Sequence, residues 1–356
     1  MASSSLIQIK EILAEAVKKR AGSVHFSVGS VPMVRIGGEL ILLDDYDVVT
    51  VDLIDGLISH VLDDVRQKKL ANDKEIVTTF EFDKNARFKV NVFYQQGTVS
   101  VTMHYIPAQV PSIDSLGLGQ VVNDLATLDK GLVIISGAFG SGRSTTIAAL
   151  VDEINRSRKE YIITVEDPIE HIFSNKKSII EQREVGRDTK SFLDALKYFQ
   201  EEDGDVLFLE EMHDTRLIPE VLEIARGSAL VFTAISAGSV TQTVSRILDS
   251  FQSFDQERIR DLLSTSLRAI VCQKLLPKFG GGLIPVHEVL IVNEAVRSVI
   301  SSGNLKQLDT VIQTSRADKM ISFDQSIVGL FKSGKISRED ALNNASDKNK
   351  LTSLLK

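Results

Sequence analysis

The first residues, MASSSLIQIKEILAEAVKKRAG, place apolar side chains three and four positions apart, so the chain is expected to open on an amphipathic helix. The period changes at SVHFSVGSVPMVRIGGELILL, where short apolar groups are cut by Gly and Pro. In ARFKVNVFYQQGTVSVTMHYI it becomes a strict alternation, with Phe88, Val90, Val92 and Tyr94 on one side of a strand and Lys89, Asn91 and Phe93 on the other. A small α+β domain over residues 1–106 is the expectation. IPAQVPSIDSLGLG then gathers Pro107, Pro111, Gly117 and Gly119, which marks 107–118 as a linker.

From residue 119 onward the pattern is of another kind. LVIIS (132–136), YIITVED (161–167), DVLFLEE (205–211) and LVFTAIS (230–236) are continuous apolar runs of strand length, and helical patterns separate them. In the first such helix Ile147, Leu150, Val151 and Ile154 form a single stripe. Strands that alternate with helices and are apolar on both faces predict an α/β domain, 119–356, with a mainly parallel buried sheet. The region from about 256 reads as mostly helical, interrupted at Gly280-Gly281-Gly282. Ile327, Leu330 and Phe331 are expected to face inward from one of its helices.

Composition narrows the functional classes. A length of 356 residues suits two domains, and 43% hydrophobic with 25% charged residues is ordinary for a folded chain. A net charge of −7, without a basic run, argues against nucleic acid as the partner. The single cysteine, Cys272, excludes an intramolecular disulfide and a cysteine-rich metal site, and fits a reducing cytosol. No segment approaches the roughly 20 apolar residues of a membrane span, so membrane association is expected only through a partner.

The chemistry concentrates at the ends of the predicted parallel strands. GAFGSGRST, residues 137–145, fits G-x-x-x-x-G-K-[ST] at Gly137, Gly142 and Ser144, with Arg143 in place of the lysine. A strand leads in and a helix leads out, which is the context in which glycines let backbone N–H groups converge on phosphate at a helix N-terminus. EDPIE brings Glu166 and Glu170 to the end of the next strand, where a carboxylate could place metal and attacking water. DVLFLEEMHD delivers Glu210 and Glu211 to the same edge, and Glu211 is the candidate for polarising water near Mg²⁺. Glu210, Glu211, His213 and Asp214 also admit a reading as metal ligands, which the alternation of side chains on an extended segment disfavours.

Taken together, GAFGSGRSTT, TVEDPIEH, QREVGRDTKSF, EEMHD and AVRSVISSGNLKQL resemble the PilT-like pilus-retraction ATPases of the type II/type IV secretion ATPase family. The likeness extends to HFSVGSVPMVRIGGEL and ARFKVNVF in the first domain. It implies a PAS-like N-terminal domain joined to a RecA-like P-loop ATPase domain. It further implies a cytoplasmic ring of six subunits, all alike or mixed with a paralogue, acting on an inner-membrane pilus platform protein. Carried over by position, Gly137, Gly140, Ser141, Gly142, Arg143, Ser144 and Thr145 would hold ATP. Ser144 and Glu211 would hold Mg²⁺, and Glu211 and Glu166 would be the catalytic carboxylates.

Four departures from the family pattern surround the same phosphate. Arginine is a planar fork and not a compact ammonium, so Arg143 keeps the charge and alters the geometry. Ser236 stands in TAISAGS where the family carries a histidine. Lys89, Tyr94, His104 and Tyr105 fall where the family has basic residues that reach a neighbouring subunit's nucleotide. Glu210 replaces a glycine. Weak or absent hydrolysis is therefore expected, in one of two forms: a slowed motor subunit, or an inactive pseudo-ATPase that regulates or joins an active paralogue. The opposing expectation is an ordinary motor in which Arg143 takes over the lysine's role.

Overall fold

The computed structural model describes residues 2–84, 86–346 and 348–355. They form two compact units: residues 1–109 with 168–172, and residues 110–167 with 173–356.

In the first unit six antiparallel strands, β1 (Ser23–Ser27), β2 (Met33–Ile36), β3 (Glu39–Leu42), β4 (Glu75–Asp83), β5 (Ala86–Gln95) and β6 (Thr98–Pro107), lie in the order β3-β2-β1-β6-β5-β4. The alternation read from the sequence is visible in β5, where Phe88, Val90 and Val92 are buried and Tyr94, at the strand's end, is exposed. The opening helix Ala2–Lys18 buries Ile9, Ile12, Leu13 and Ala16 in the same core. Helix Val51–Val61 adds Leu53, Ile54 and Leu57, and begins where the Thr50 hydroxyl accepts the N–H of Leu53.

The second unit is built on seven strands: β7 (Gly131–Ser136), β8 (Tyr161–Glu166), β9 (Ile179–Glu184), β10 (Val206–Glu211), β11 (Leu230–Ile235), β12 (Leu267–Pro277) and β13 (Leu283–Ile291). Their order is β13-β12-β7-β11-β10-β8-β9, parallel throughout except at the β12–β13 edge. All four apolar runs picked out above are strands of this sheet. They lack alternation because both faces are covered: Leu132 and Ile134 enter one core, Val133 and Ile135 the other. The helix Arg143–Ser157 buries Ile147, Leu150, Val151 and Ile154 as its stripe required, and Ala148, Ala149, Asp152 and Asn155 as well.

Two regions differ from their sequence patterns. Within 107–118, Ile113 and Leu118 are buried in the second unit's core, and Ile113–Leu116 is a short helix capped by Ser112. After residue 256 the helix Ser253–Ser266 gives way to a hairpin of β12 and β13, whose turn is Gly280-Gly281-Gly282, all at positive φ, before helices resume at Glu294–Ser302. The run LRAIVCQKLLP is buried on both faces for much of its length, so it carries no period-2 signal. Farther on, Ile327 is buried and Leu330 and Phe331 are half-buried on helix Phe323–Lys332. Among the described residues no helix is long and apolar enough to cross a membrane.

Candidate nucleotide site

Parallel pairing sets the ends of β7, β8, β10 and β11 along one edge of the sheet, and the candidate residues follow those ends. The loop 137–142 leaves β7 and closes on itself, with the Ser141 N–H donating to the Ala138 carbonyl at 3.1 Å. Gly137 and Gly142 are required by space as well as by backbone angle. A Cβ on Gly137 would lie 2.3 Å from Ser141 Oγ and 2.5 Å from the Gln273 carbonyl oxygen. Gly142, at φ 88°, caps the helix Arg143–Ser157, whose first turn carries Arg143, Ser144 and Thr145. Gly140, at φ 77°, sits exposed at the loop's crest with open space around it.

Gln273 clamps this loop from β12. Its Nε2 donates to the Ser141 carbonyl at 2.6 Å, and its Oε1 accepts from Thr146 Oγ1 at 2.9 Å. Sequence reasoning did not find it. Gln273 lies far along the chain in no local motif, and only the pairing of β12 with β7 brings it beside the loop. Within the clamp, Ser141 Oγ is buried and has no hydrogen-bond partner. A buried hydroxyl in that condition marks a place where a polar ligand atom belongs.

Arg143 does not project alone toward the loop's mouth. Its Nη1 and Nη2 donate to Glu211 Oε1 and Oε2 at 3.0 and 3.3 Å, a two-pronged ion pair. The fork geometry that distinguishes arginine from lysine is what permits both contacts. Glu211 therefore lies against the phosphate loop, and both its oxygens are engaged. A shift of register between β10 and β11 at Leu209/Glu211 sets its direction, as a bulge at a strand end commonly does. Glu210 serves another purpose: its Oε2 accepts the Asp167 N–H at 2.5 Å, tying the end of β10 to the turn after β8.

Glu166 is buried at the end of β8, where its Oε1 accepts from Thr164 Oγ1 at 2.6 Å and from Gln182 Nε2 at 3.2 Å. Glu170 belongs to the first unit with Lys89, whose Nζ donates to Glu170 Oε1 at 2.8 Å. Burial, and then the nearby Lys89, lower the pKa of His104 beside this pair. The Ser236 carbonyl accepts Arg246 Nη1 at 2.6 Å, and these residues line a cavity of about 110 Å³ together with Glu211 and His213. Asp214 is held by Arg216, whose hydrogen bonds lower its pKa to about 2. No group of His, Cys, Asp and Glu suited to a metal ion occurs among the described residues.

The site fits a nucleoside phosphate: a glycine loop that a Cβ would fill, an orphaned hydroxyl, and a helix N-terminus. Ser144 and Glu211 carry hard oxygen atoms of the kind Mg²⁺ prefers, and in this structure both oxygens of Glu211 are held by Arg143.

Known proteins resemble this chain over most of its length. The family model described as "Type II/IV secretion system protein" matches residues 3–330. The type IV pilus retractation ATPase PilT of Pseudomonas aeruginosa is 34% identical over 339 residues, covering 95% of this chain and 98% of its own length. A twitching motility protein of Neisseria gonorrhoeae is 35% identical over 315 residues, 88% of this chain and 84% of its own. The crystal structure of the pilus retraction motor PilT with bound ADP superposes with a TM-score of 0.83 at 38% identity, covering 97% of this chain and 99% of that one.

Proposed function

We propose a function from one premise: the chain belongs to the type II/IV secretion system protein family as a PilT-like member, with a RecA-like ATPase fold. In this reading it is the ATP-binding subunit of a type IV pilus retraction motor in which hydrolysis is slowed at the phosphate. It works in a six-membered ring of copies or of copies and a paralogue, on the cytoplasmic side of a membrane platform protein.

Gly137, Gly140, Ser141 and Gly142 form the cradle for the phosphates, Ser141 offering its hydroxyl, and the helix N-terminus at Arg143–Thr145 adds its N–H groups and dipole. Mg²⁺, when bound, neutralises charge on the phosphate oxygens. Glu211 polarises the attacking water, and Glu166 fixes the neighbouring strand end.

The observation that carries the slowed chemistry is the Arg143–Glu211 pair. Arg143 must leave Glu211 to reach phosphate, and Glu211 must be free to act on water. Hydrogen bonds to charged groups are worth about 1.5–3 kcal/mol each, so this exchange subtracts from whatever Arg143 gains at the transition state. Ser236 provides no side chain long enough to make good the loss. The same pair favours the second reading, a pseudo-ATPase that binds nucleotide and regulates an active paralogue.

Binding and turnover measured on one purified oligomer separate the two. Hydrolysis abolished by Glu211→Gln supports a slow motor, whereas ATP binding without hydrolysis supports the regulator. Arg143→Lys with Ser236→His should raise turnover on the order of tenfold or more, since a single phosphate-directed donor commonly commands about 10²–10³ in rate. An unchanged rate would exclude lost phosphate contacts as the cause.

A further inference from the structure

Each sheet ends in two edge strands, and three of the four are guarded against further pairing. On β13, Val289 exchanges two backbone hydrogen bonds with Ile321, and the His287 N–H donates to Ser326 Oγ. β9 carries Glu181 and Arg183, and Asn175 Oδ1 takes the Ile180 N–H. β4 carries Glu75, Glu81 and Asp83, all exposed. Charges and covering segments of these kinds keep a strand edge from recruiting another strand.

β3 is built differently. It reads Glu39-Leu40-Ile41-Leu42, with a charge only at its first residue, and it pairs with β2 without a bulge. The Leu43 N–H donates to the Pro32 carbonyl at 2.9 Å, so Leu43 turns its backbone toward β2. By alternation Leu40 and Leu42 turn theirs outward, to the open edge. Leu40 is 48%, Ile41 41% and Leu42 53% exposed, which leaves an apolar strand in water on both of its faces. The chain around it is acidic. Residues 36–55 contain Glu39, Asp44, Asp45, Asp47, Asp52 and Asp55, all exposed, and neither Lys nor Arg. Arg35, just before them, donates to the Gly38 carbonyl.

We propose that β3 is a docking edge that takes an extended, basic segment of another protein as an added strand. The inference does not depend on the nucleotide reading. Backbone bonds at Leu40 and Leu42 supply the pairing, and alternate apolar side chains of the guest lie against the two leucines. Charge selects the occupant. Antiparallel pairing of two copies of β3 would set Glu39 of one copy near Asp44 and Asp45 of the other, and like charges so placed repel. Lysine or arginine on the guest's other face and at its ends meets the same acids with attraction.

The test uses the full-length protein and an amidated peptide that alternates valine and lysine. A valine–glutamate peptide and an N-methylated valine–lysine peptide, which lacks the N–H donors, are the controls. Amide exchange resolved to single residues should show Leu40 and Leu42 protected by the first peptide, and Ile41 and Leu43 unchanged. Anisotropy of the labelled peptide should report binding that weakens as salt rises, because exposed charges are screened. Leu40→Lys with Leu42→Lys should weaken it about tenfold or more, by placing charge on the edge. Both positions are exposed, so this variant should melt with the parent. Asp44→Asn with Asp45→Asn leaves β3 intact and should weaken binding while flattening its salt dependence. No binding at millimolar peptide would overturn the proposal. Equal binding of the valine–glutamate peptide would overturn it by removing charge as the selector, and equal binding of the N-methylated peptide by removing strand addition. Protection of Leu40 and Leu42 that grows with protein concentration alone would give the edge to a second copy, and would overturn it as well.

Discussion

Arg143 shows how one residue can keep a motif's charge and change its behaviour. A lysine in that place offers a compact ammonium with its donors on one nitrogen; the planar guanidinium spans both oxygens of Glu211. A second group, on β13 opposite Gln273, bears on stability. His287 on β13 is partly exposed, but its Nδ1 is buried with no hydrogen-bond partner, and burial lowers the ring's pKa from 6.5 to about 4. In the unfolded chain the ring takes up a proton near pH 6.5; in the folded protein it resists until about pH 4. The unfolded state therefore binds more protons across that window. The stability this neutral ring contributes is fully present above about pH 6.5, falls as the pH drops, and is gone below about pH 4. The total loss is about 3 kcal/mol, from a shift of this size at 1.36 kcal/mol per pH unit. Urea midpoints taken between pH 7.5 and 4.5 should fall more steeply for the parent protein than for His287→Phe; parallel slopes would remove His287 as the source.

At the scale of elements, the phosphate loop is the part most exposed to small changes, because it is squeezed between its own Ser141 and the carbonyl of Gln273. Gly137→Ala forces one of them to move and should destabilise the protein by about 1–3 kcal/mol, with ADP affinity falling in step. Gly140→Ala meets no atom within 4 Å and is opposed only by its φ of 77°, so it should cost about 1–2 kcal/mol and leave the cradle's shape intact. Paired urea unfolding and ADP titration check the order of the two. The difference also marks what a sequence can disclose. The loop, its helix and the four strands behind the site were legible because apolar runs and glycine spacing are local signals. The hairpin of β12 and β13 was not, since a strand buried on both faces looks like part of a buried helix until something pairs with it. Gln273 was lost with it. The Arg143–Glu211 pair was equally out of reach: the sequence named both residues, but only the pairing of β7, β11 and β10 side by side makes them neighbours.

For the molecule as a whole, the two units carry separate cores. Residues from Ile9 to Met103 fill one; the helices and strands on the two faces of the seven-stranded sheet fill the others. The phosphate loop and the Gln273 clamp both belong to the second unit. A ligand stabilises what it binds by an amount set by its concentration over Kd, about 2.7 kcal/mol at a hundredfold excess. In a unit of this size each kcal/mol moves the midpoint by about 2–4 °C, so saturating ADP should raise the second unit's thermal transition by about 5–10 °C. Hydrogen exchange locates the effect. Amides of β7, β11 and β12 should gain protection with ADP, and those of β1, β5 and β6 should keep the rates of the free protein. Equal protection of both sheets would mean that the two cores open together, so that a nucleotide held by one unit governs the stability of the whole chain.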